Sequence, residues 1–341
     1  RTDPPERRAF SFLHAVFTGR SYPGRGLVKR VLLASPRGYC AGVERAVDTV
    51  ERALAHYGSP VFVRKQIVHN SHVVRELEER GAIFVDSVDE IPEGATVVFS
   101  AHGVSPAVRD ASDARGLNAI DATCPLVTKV HTQARRYADA GYTIVLIGHA
   151  GHEEVEGTLG EAPEATVLVE SVAGAESLDL PAHVRLAYIT QTTLSVDETR
   201  EIITVLRRRF PQIEGPSRED ICYATSNRQW AVKELLDEVD VLLVVGSLNS
   251  SNSVRLVEVS RAAGVPAHLV DDAGEIDEAW LEGAETAGVT SGASVPERLV
   301  REVCDWFRAR GVVDVGEHRS VFEDVVFKLP VELRRAERSA A

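Results

Sequence analysis

A strand-like run that stops at a cysteine and passes directly into a helix-like run occurs three times in this chain. The cysteines are Cys40 in VLLASPRGYCAGVERAV, Cys124 in DATCPLVTKVH and Cys222 in EDICYATSNRQ. The change is sharpest at Cys124. Leu117 to Ile120 reads as strand, and Pro125 stands at the first helical position, where its missing N–H costs nothing. A thiol at such a junction meets the positive end of a helix, which lowers its pKa and favours the thiolate that binds metal or attacks an electrophile. A lone cysteine is more often a small buried hydrophobe. Three at equivalent junctions ask for a repeated architecture.

From Val31 onward strand-like and helix-like segments alternate, which implies α/β units with parallel sheets. Measured from the three cysteines, a second strand ends in a polar loop after 29, 28 and 28 residues, at His69, His152 and Ser250. A third loop follows at His102, Thr192 and Ser294, after 62, 68 and 72 residues. The spacing predicts three divergent copies of one α/β unit over 31–116, 117–212 and 213–312, with 313–341 as a C-terminal tail. Related units each offering one cysteine suggest a pseudo-threefold arrangement with the cysteines at the centre. Ligands of parallel α/β sheets bind at the carboxyl ends of strands, so the polar loops are expected to surround the cysteines.

Composition narrows the function. A net charge of −13 opposes nucleic-acid binding. The 44% hydrophobic and 26% charged residues are those of a soluble globular protein, and no apolar run approaches the roughly 18 residues that span a bilayer. Four widely spaced cysteines do not make a disulfide scaffold and suit a reducing compartment, so a cytoplasmic location is expected. Cys304, in the helical pattern RLVREVCDWFRARG, is expected only to pack. Residues 1–30 carry seven basic side chains against Asp3 and Glu6, a local +5, and read as a disordered extension. The short apolar run after Arg7 and Arg8 faintly suggests an export or transit signal, but no small-residue cleavage site follows it.

Three thiolates at one point could hold zinc, copper or an iron–sulfur cluster. Structural zinc normally draws closely spaced cysteine pairs, whereas the gaps here are 84 and 98 residues. A cluster gripped from three units fits better, and with three cysteines a 4Fe-4S cluster keeps one iron open to substrate oxygen. The remaining loops supply His69, Asn70, His102, His152, Glu154, Thr192, Ser250, Ser251, Asn252 and Ser294. These are hydrogen-bonding groups with few fixed charges, near helix starts, as suits a phosphate or diphosphate. Singly, each has a plainer reading, and SSNS at 250–253 would serve as a helix cap. GHAGHEEVEGT lacks the second histidine of HExxH, which argues against zinc-protease chemistry. A carboxylic acid beside a histidine next to a reducible centre is what proton delivery requires; Glu153 and Glu156 read as solvated.

The stretches PRGYCAGVERAV, VHN, FSAHGVS, DATCPLVTKVH, GHAGHEEVEGT, QTTLSVDET, DICYATSNRQ, GSLNSSNSVRL and SGASVPE closely resemble the family of 4-hydroxy-3-methylbut-2-enyl diphosphate reductases, from about Val31 to Leu333. The resemblance implies a trefoil of three α/β domains around a 4Fe-4S cluster held by Cys40, Cys124 and Cys222. It implies that His69, His102, Ser250, Asn252 and Ser294 hold the diphosphate, with His152 and Ser251 close by. By the same resemblance Thr192 and Glu154 would contact the substrate hydroxyl, and Glu154 would be the proton source. Isopentenyl and dimethylallyl diphosphates are the implied products, and an electron carrier such as ferredoxin or flavodoxin the implied partner. Ser291 stands where the family often has alanine. Two competitors use the same pocket: a non-enzymatic iron–sulfur sensor of redox state or diphosphate, and a hydratase that needs no reductant.

Overall fold

The computed structural model describes residues 28–181 and 184–340. The expected extension lies outside the described residues up to residue 27, and its last residues lead into the first strand with Val28 buried.

After β1 (Arg30–Ser35), the chain forms α1 (Ala41–Tyr57), β2 (Val61–Arg64), α2 (Ser71–Glu79), β3 (Ala82–Val85), β4 (Thr96–Phe99), α3 (Pro106–Ala114) and β5 (Asn118–Asp121). A second series runs α4 (Pro125–Asp139), β6 (Thr143–Ile147), α5 (Glu153–Glu161), β7 (Thr166–Val169), α6 (Val172–Ser177), β8 (Leu186–Thr190) and α7 (Val196–Arg209). The third comprises α8 (Tyr223–Leu235), β9 (Val241–Val245), α9 (Ser251–Ala262), β10 (Ala267–Val270), β11 (Thr286–Ser291), α10 (Glu297–Arg308) and β12 (Asp314–Arg319), and α11 (Val331–Ala340) closes the chain.

These strands build three wholly parallel sheets, ordered β3-β2-β4-β5, β7-β6-β8 and β10-β9-β11-β1-β12. Parallel strands covered on both faces read as continuous apolar runs rather than alternating ones. TIVLI of β6 and VLLVV of β9 do so, with Val241 to Val245 all buried. Burying each such side chain contributes on the order of 1.5–3 kcal/mol. No helix among the described residues is long and apolar enough to cross a membrane.

The sheets divide the chain otherwise than the spans 31–116, 117–212 and 213–312. The strand before each cysteine belongs to the sheet of the neighbouring series. β1, before Cys40, pairs with β11. β5, before Cys124, pairs with β4. Ahead of Cys222, Glu214 makes a parallel bridge to Ala187 at the edge of β8. Each cysteine is therefore the point where the chain leaves one sheet and starts the next series, which brings all three to the junction of the three sheets. The expected tail is structured over its described residues: β12 extends the third sheet beside β1, and Leu333 is fully buried in the core around α1 and β2.

Candidate active site

Cys40, Cys124 and Cys222 are the N-cap residues of α1, α4 and α8. Their carbonyls accept the first helical hydrogen bonds, from Glu44, Thr128 and Ser226 at 2.9, 3.0 and 3.0 Å. Their own N–H groups donate to Ala293, Ala101 and Thr192 at 3.2, 3.0 and 3.0 Å. Those three acceptors lie in the third loops singled out by the spacing, so the recurrence along the chain has the same recurrence in hydrogen bonds. One cavity is lined by all three cysteines together with His69, His102, His152, Glu154, Thr192, Ser250, Ser251, Asn252 and Ser294. Asn70 instead caps α2, its Oδ1 accepting from Val73 N–H at 3.1 Å, and is absent from the cavity wall. Cys304 packs in α10 as expected.

The thiols differ from expectation in one respect. Burial pushes the Cys124 thiol up to about 12 and the Cys222 thiol up to about 11, aided by the neighbouring Cys40. Helix N–H groups pull the other way, but desolvation of a buried anion outweighs them. Three thiolates that repel one another away from water coexist only beside a compensating cation, and metal ligation deprotonates a thiol outright. The donor set thus suits a thiolate-preferring metal centre. Space is reserved for it at Gly42: a Cβ there would lie 2.8 Å from the Cys124 Sγ and 3.8 Å from the Cys40 Sγ.

The rest of the lining is built of imidazole, hydroxyl and amide groups. His69 and His102 stack at 4.0 Å, and His152 meets both edge-on at 5.4 and 5.8 Å. Burial, reinforced by the adjoining imidazoles, pushes His69 down to about 2 and His152 down to about 3. The Glu154 N–H donates to His152 Nδ1 at 3.1 Å, so the neutral ring carries its hydrogen on Nε2. Ser294 Oγ donates to the His69 carbonyl at 2.9 Å, and Asn252 accepts from Ala293 N–H at 2.9 Å while donating to Thr225 Oγ1 at 3.1 Å. Ser250 caps α9, and Ser251 Oγ donates to the Thr193 carbonyl at 3.1 Å. His69, His102 and Glu153 also bring three ligand atoms within 4.8 Å of one another. The two rings face each other flat, so they cannot both turn an edge lone pair to one ion without leaving that stack.

Glu154 is 1% exposed. Its Oε1 accepts from Thr192 N–H at 2.7 Å and its Oε2 pairs with Thr192 Oγ1 at 2.9 Å. Burial raises its pKa against the opposing pull of those bonds. When Glu154 is protonated its O–H donates to Thr192 Oγ1, which frees the threonine hydrogen for a group in the cavity.

Sequence reasoning missed several contributors. Glu153, read as solvated, has a side chain only 15% exposed and accepts from His102 Nδ1 at 3.2 Å. Glu156 is exposed as expected. Thr225 donates its N–H to the Cys222 Sγ, and its spacing from that cysteine was the available signal. His131 ends the DATCPLVTKVH motif, packs against Gly103 and Gly157 and pairs through Nδ1 with Glu161 at 2.8 Å, bracing α4 on α5.

Comparison with known proteins identifies the family and the fold. Residues 31–308 match the family model described as LytB protein. A 4-hydroxy-3-methylbut-2-enyl diphosphate reductase of Acidothermus cellulolyticus is 61% identical over 90% of this chain and 91% of its own length. That of Nocardia farcinica is 60% identical over 91% and 93%. The structure of E-1-hydroxy-2-methyl-but-2-enyl-4-diphosphate reductase from Plasmodium falciparum superposes with a TM-score of 0.90 at 38% identity, covering 92% of this chain and 99% of that one. A second solved structure, of (E)-4-hydroxy-3-methyl-but-2-enyl diphosphate reductase, gives 0.59 at 31% identity over 83% and 100%. By sequence and by fold, this chain belongs to the LytB family.

Proposed function

We propose that this chain is a reductase that removes the hydroxyl of 4-hydroxy-3-methylbut-2-enyl diphosphate to give isopentenyl and dimethylallyl diphosphates. Cys40, Cys124 and Cys222 would hold a 4Fe-4S cluster with one open iron. When bound, that cluster supplies electrons and an electrophilic site for the substrate hydroxyl. Two electrons and two protons are consumed and one water leaves, so an external one-electron carrier protein such as ferredoxin or flavodoxin is the matching partner. The observation that carries the reading is the Glu154–Thr192 pair on the wall of the same cavity as the three cysteines.

The chain's own residues take distinct parts. His69, His102, Ser250, Asn252 and Ser294 bind the diphosphate, with His152 and Ser251 beside them, and the bonds of Ser294 to the His69 carbonyl, of Asn252 to Thr225 and Ala293 and of Ser251 to Thr193 fix positions before ligand arrives. Thr192 orients the hydroxyl. Glu154, whose acid form burial favours, delivers the proton that turns hydroxide into water as leaving group. The apolar side chains Val43, Val68 and Val127 line the same cavity and keep bulk water from the reacting carbon. A sensor of redox state would need no buried acid at this point.

Glu154→Gln tests the assignment. The amide retains the shape and cannot donate the acid proton, so turnover falls about 10²-fold or more while iron content and diphosphate affinity stay unchanged. Full turnover in that variant would refute the role.

A further inference from the structure

Arg228 is the largest fully buried side chain described, at 0% exposure, and the cavity chemistry makes no use of it. Its Nη2 donates to the Gly38 carbonyl at 2.7 Å, two residues before Cys40, and its Nη1 donates to the Ala224 carbonyl at 2.9 Å, two residues after Cys222. Arg228 stands on α8 itself, so its fork ties the first turn of that helix, which Cys222 caps, to the loop that carries Cys40. The carboxylate paired with it is Glu323, at 3.2 Å, from the segment between β12 and α11 that the sequence reading left as a tail. Asn227 Nδ2 donates to the same carboxylate at 3.0 Å, so the tail is pinned beside the turn that starts α8.

An arginine is a fixed cation, and moving one wholly out of water is unfavourable unless its partners compensate. A neutral side chain would fill the same space, so the charge needs a reason. The neighbouring cysteines supply one: Cys40 and Cys222, two of the three thiols on the cavity wall, cap the helices that begin beside the two carbonyls the guanidinium binds.

We propose that Arg228 is a positioning residue that holds the Cys40 loop against the start of α8, where Cys222 sits, and biases the metal centre electrostatically, and that Glu323 straps the C-terminal segment across to hold it there. The proposal rests on the cluster reading given above. A cation beside the centre favours its reduced, more negative form, so loss of the charge lowers the reduction potential. Loss of Glu323 alone unmasks the cation and raises it. The fork geometry governs how firmly the loops hold the metal.

The test uses anaerobically prepared holoprotein and four variants: Arg228→Met, Arg228→Lys, Glu323→Gln and the Arg228→Met/Glu323→Gln pair. Three quantities are read: the thermal midpoint, the half-time of iron loss to excess chelator, and the potential by spectroelectrochemical titration. Arg228→Met is expected to lose iron at least threefold faster and to titrate at a lower potential, and Glu323→Gln to titrate at a higher one. Arg228→Lys keeps the charge but not the fork, so it retains the potential and sheds iron faster. The double variant removes the buried pair together and recovers thermal stability. Its iron loss stays at least threefold faster. Recovery of iron retention along with stability in the double variant would overturn the proposal, as would equal potentials in Arg228→Met, Glu323→Gln and the unaltered protein. Should Arg228→Met not fold, the unchanged potential with faster iron loss expected of Arg228→Lys and the higher potential expected of Glu323→Gln decide alone. Unaltered protein that takes up no iron would sink the cluster reading itself, an outcome seen before any variant is made.

Discussion

At the scale of single residues, the site works by desolvation. The same burial that raises Glu154 also drives the His69 and His152 rings to their neutral forms, so an acid and a set of neutral donors share one cavity. This has a consequence for stability. The two histidines are depressed from 6.5 to about 2 and about 3, so they contribute stability that is fully present above about pH 6.5 and lost as pH falls toward 3. Each steepens the acid loss by up to about 1.4 kcal/mol per pH unit. Chemical denaturation between pH 7 and 4 is expected to show a shallower decline in His69→Ala or His152→Ala than in the unaltered protein; identical slopes would mean the rings take up protons in the folded state. Sequence spacing picked out the cysteines and loop residues that line one cavity because similar offsets survive divergence. It misjudged the thiols because a helix N-terminus is visible in a sequence whereas depth of burial is not. It likewise passed over Glu153, whose partner His102 lies 51 positions away.

At the scale of elements, the governing device is a strand that ends at an N-cap cysteine and passes its chain to the next sheet. Gly42, in the first turn of α1, shows how closely the helix ends approach. Glycine in a helix costs about 1 kcal/mol relative to alanine, so Gly42→Ala is expected to favour α1 in metal-free protein. A Cβ at 2.8 Å from the Cys124 Sγ leaves no room for the sulfurs to spread around a metal. Iron content of the variant is therefore expected to fall to less than half that of the unaltered protein, and full iron incorporation would show that the helix ends have slack. Alternation of strand and helix made the α/β class legible. Strand membership was not, because pairing is a long-range choice: Val31 pairs with Ala287, and nothing local to β1 records it.

At the scale of the whole molecule, three parallel sheets meet where the chain passes from one to the next, and the C-terminal segment ties the third back to the first. β12 lies against β1, Glu323 reaches Arg228, and Leu333 is buried in the core beneath α1. Leu333→Ala is expected to cost about 2–5 kcal/mol of unfolding free energy, as for a core leucine. A loss below about 1 kcal/mol would mean that the closing helix is loosely held. In sequence this segment lay past the last repeat and carried no catalytic motif, so its structural part was invisible until the sheets were assembled. Anaerobically purified protein should convert 4-hydroxy-3-methylbut-2-enyl diphosphate into the two five-carbon diphosphates only when a one-electron reductant is supplied. An intact cluster and tight substrate binding without reductant-dependent turnover would contradict the reductase reading.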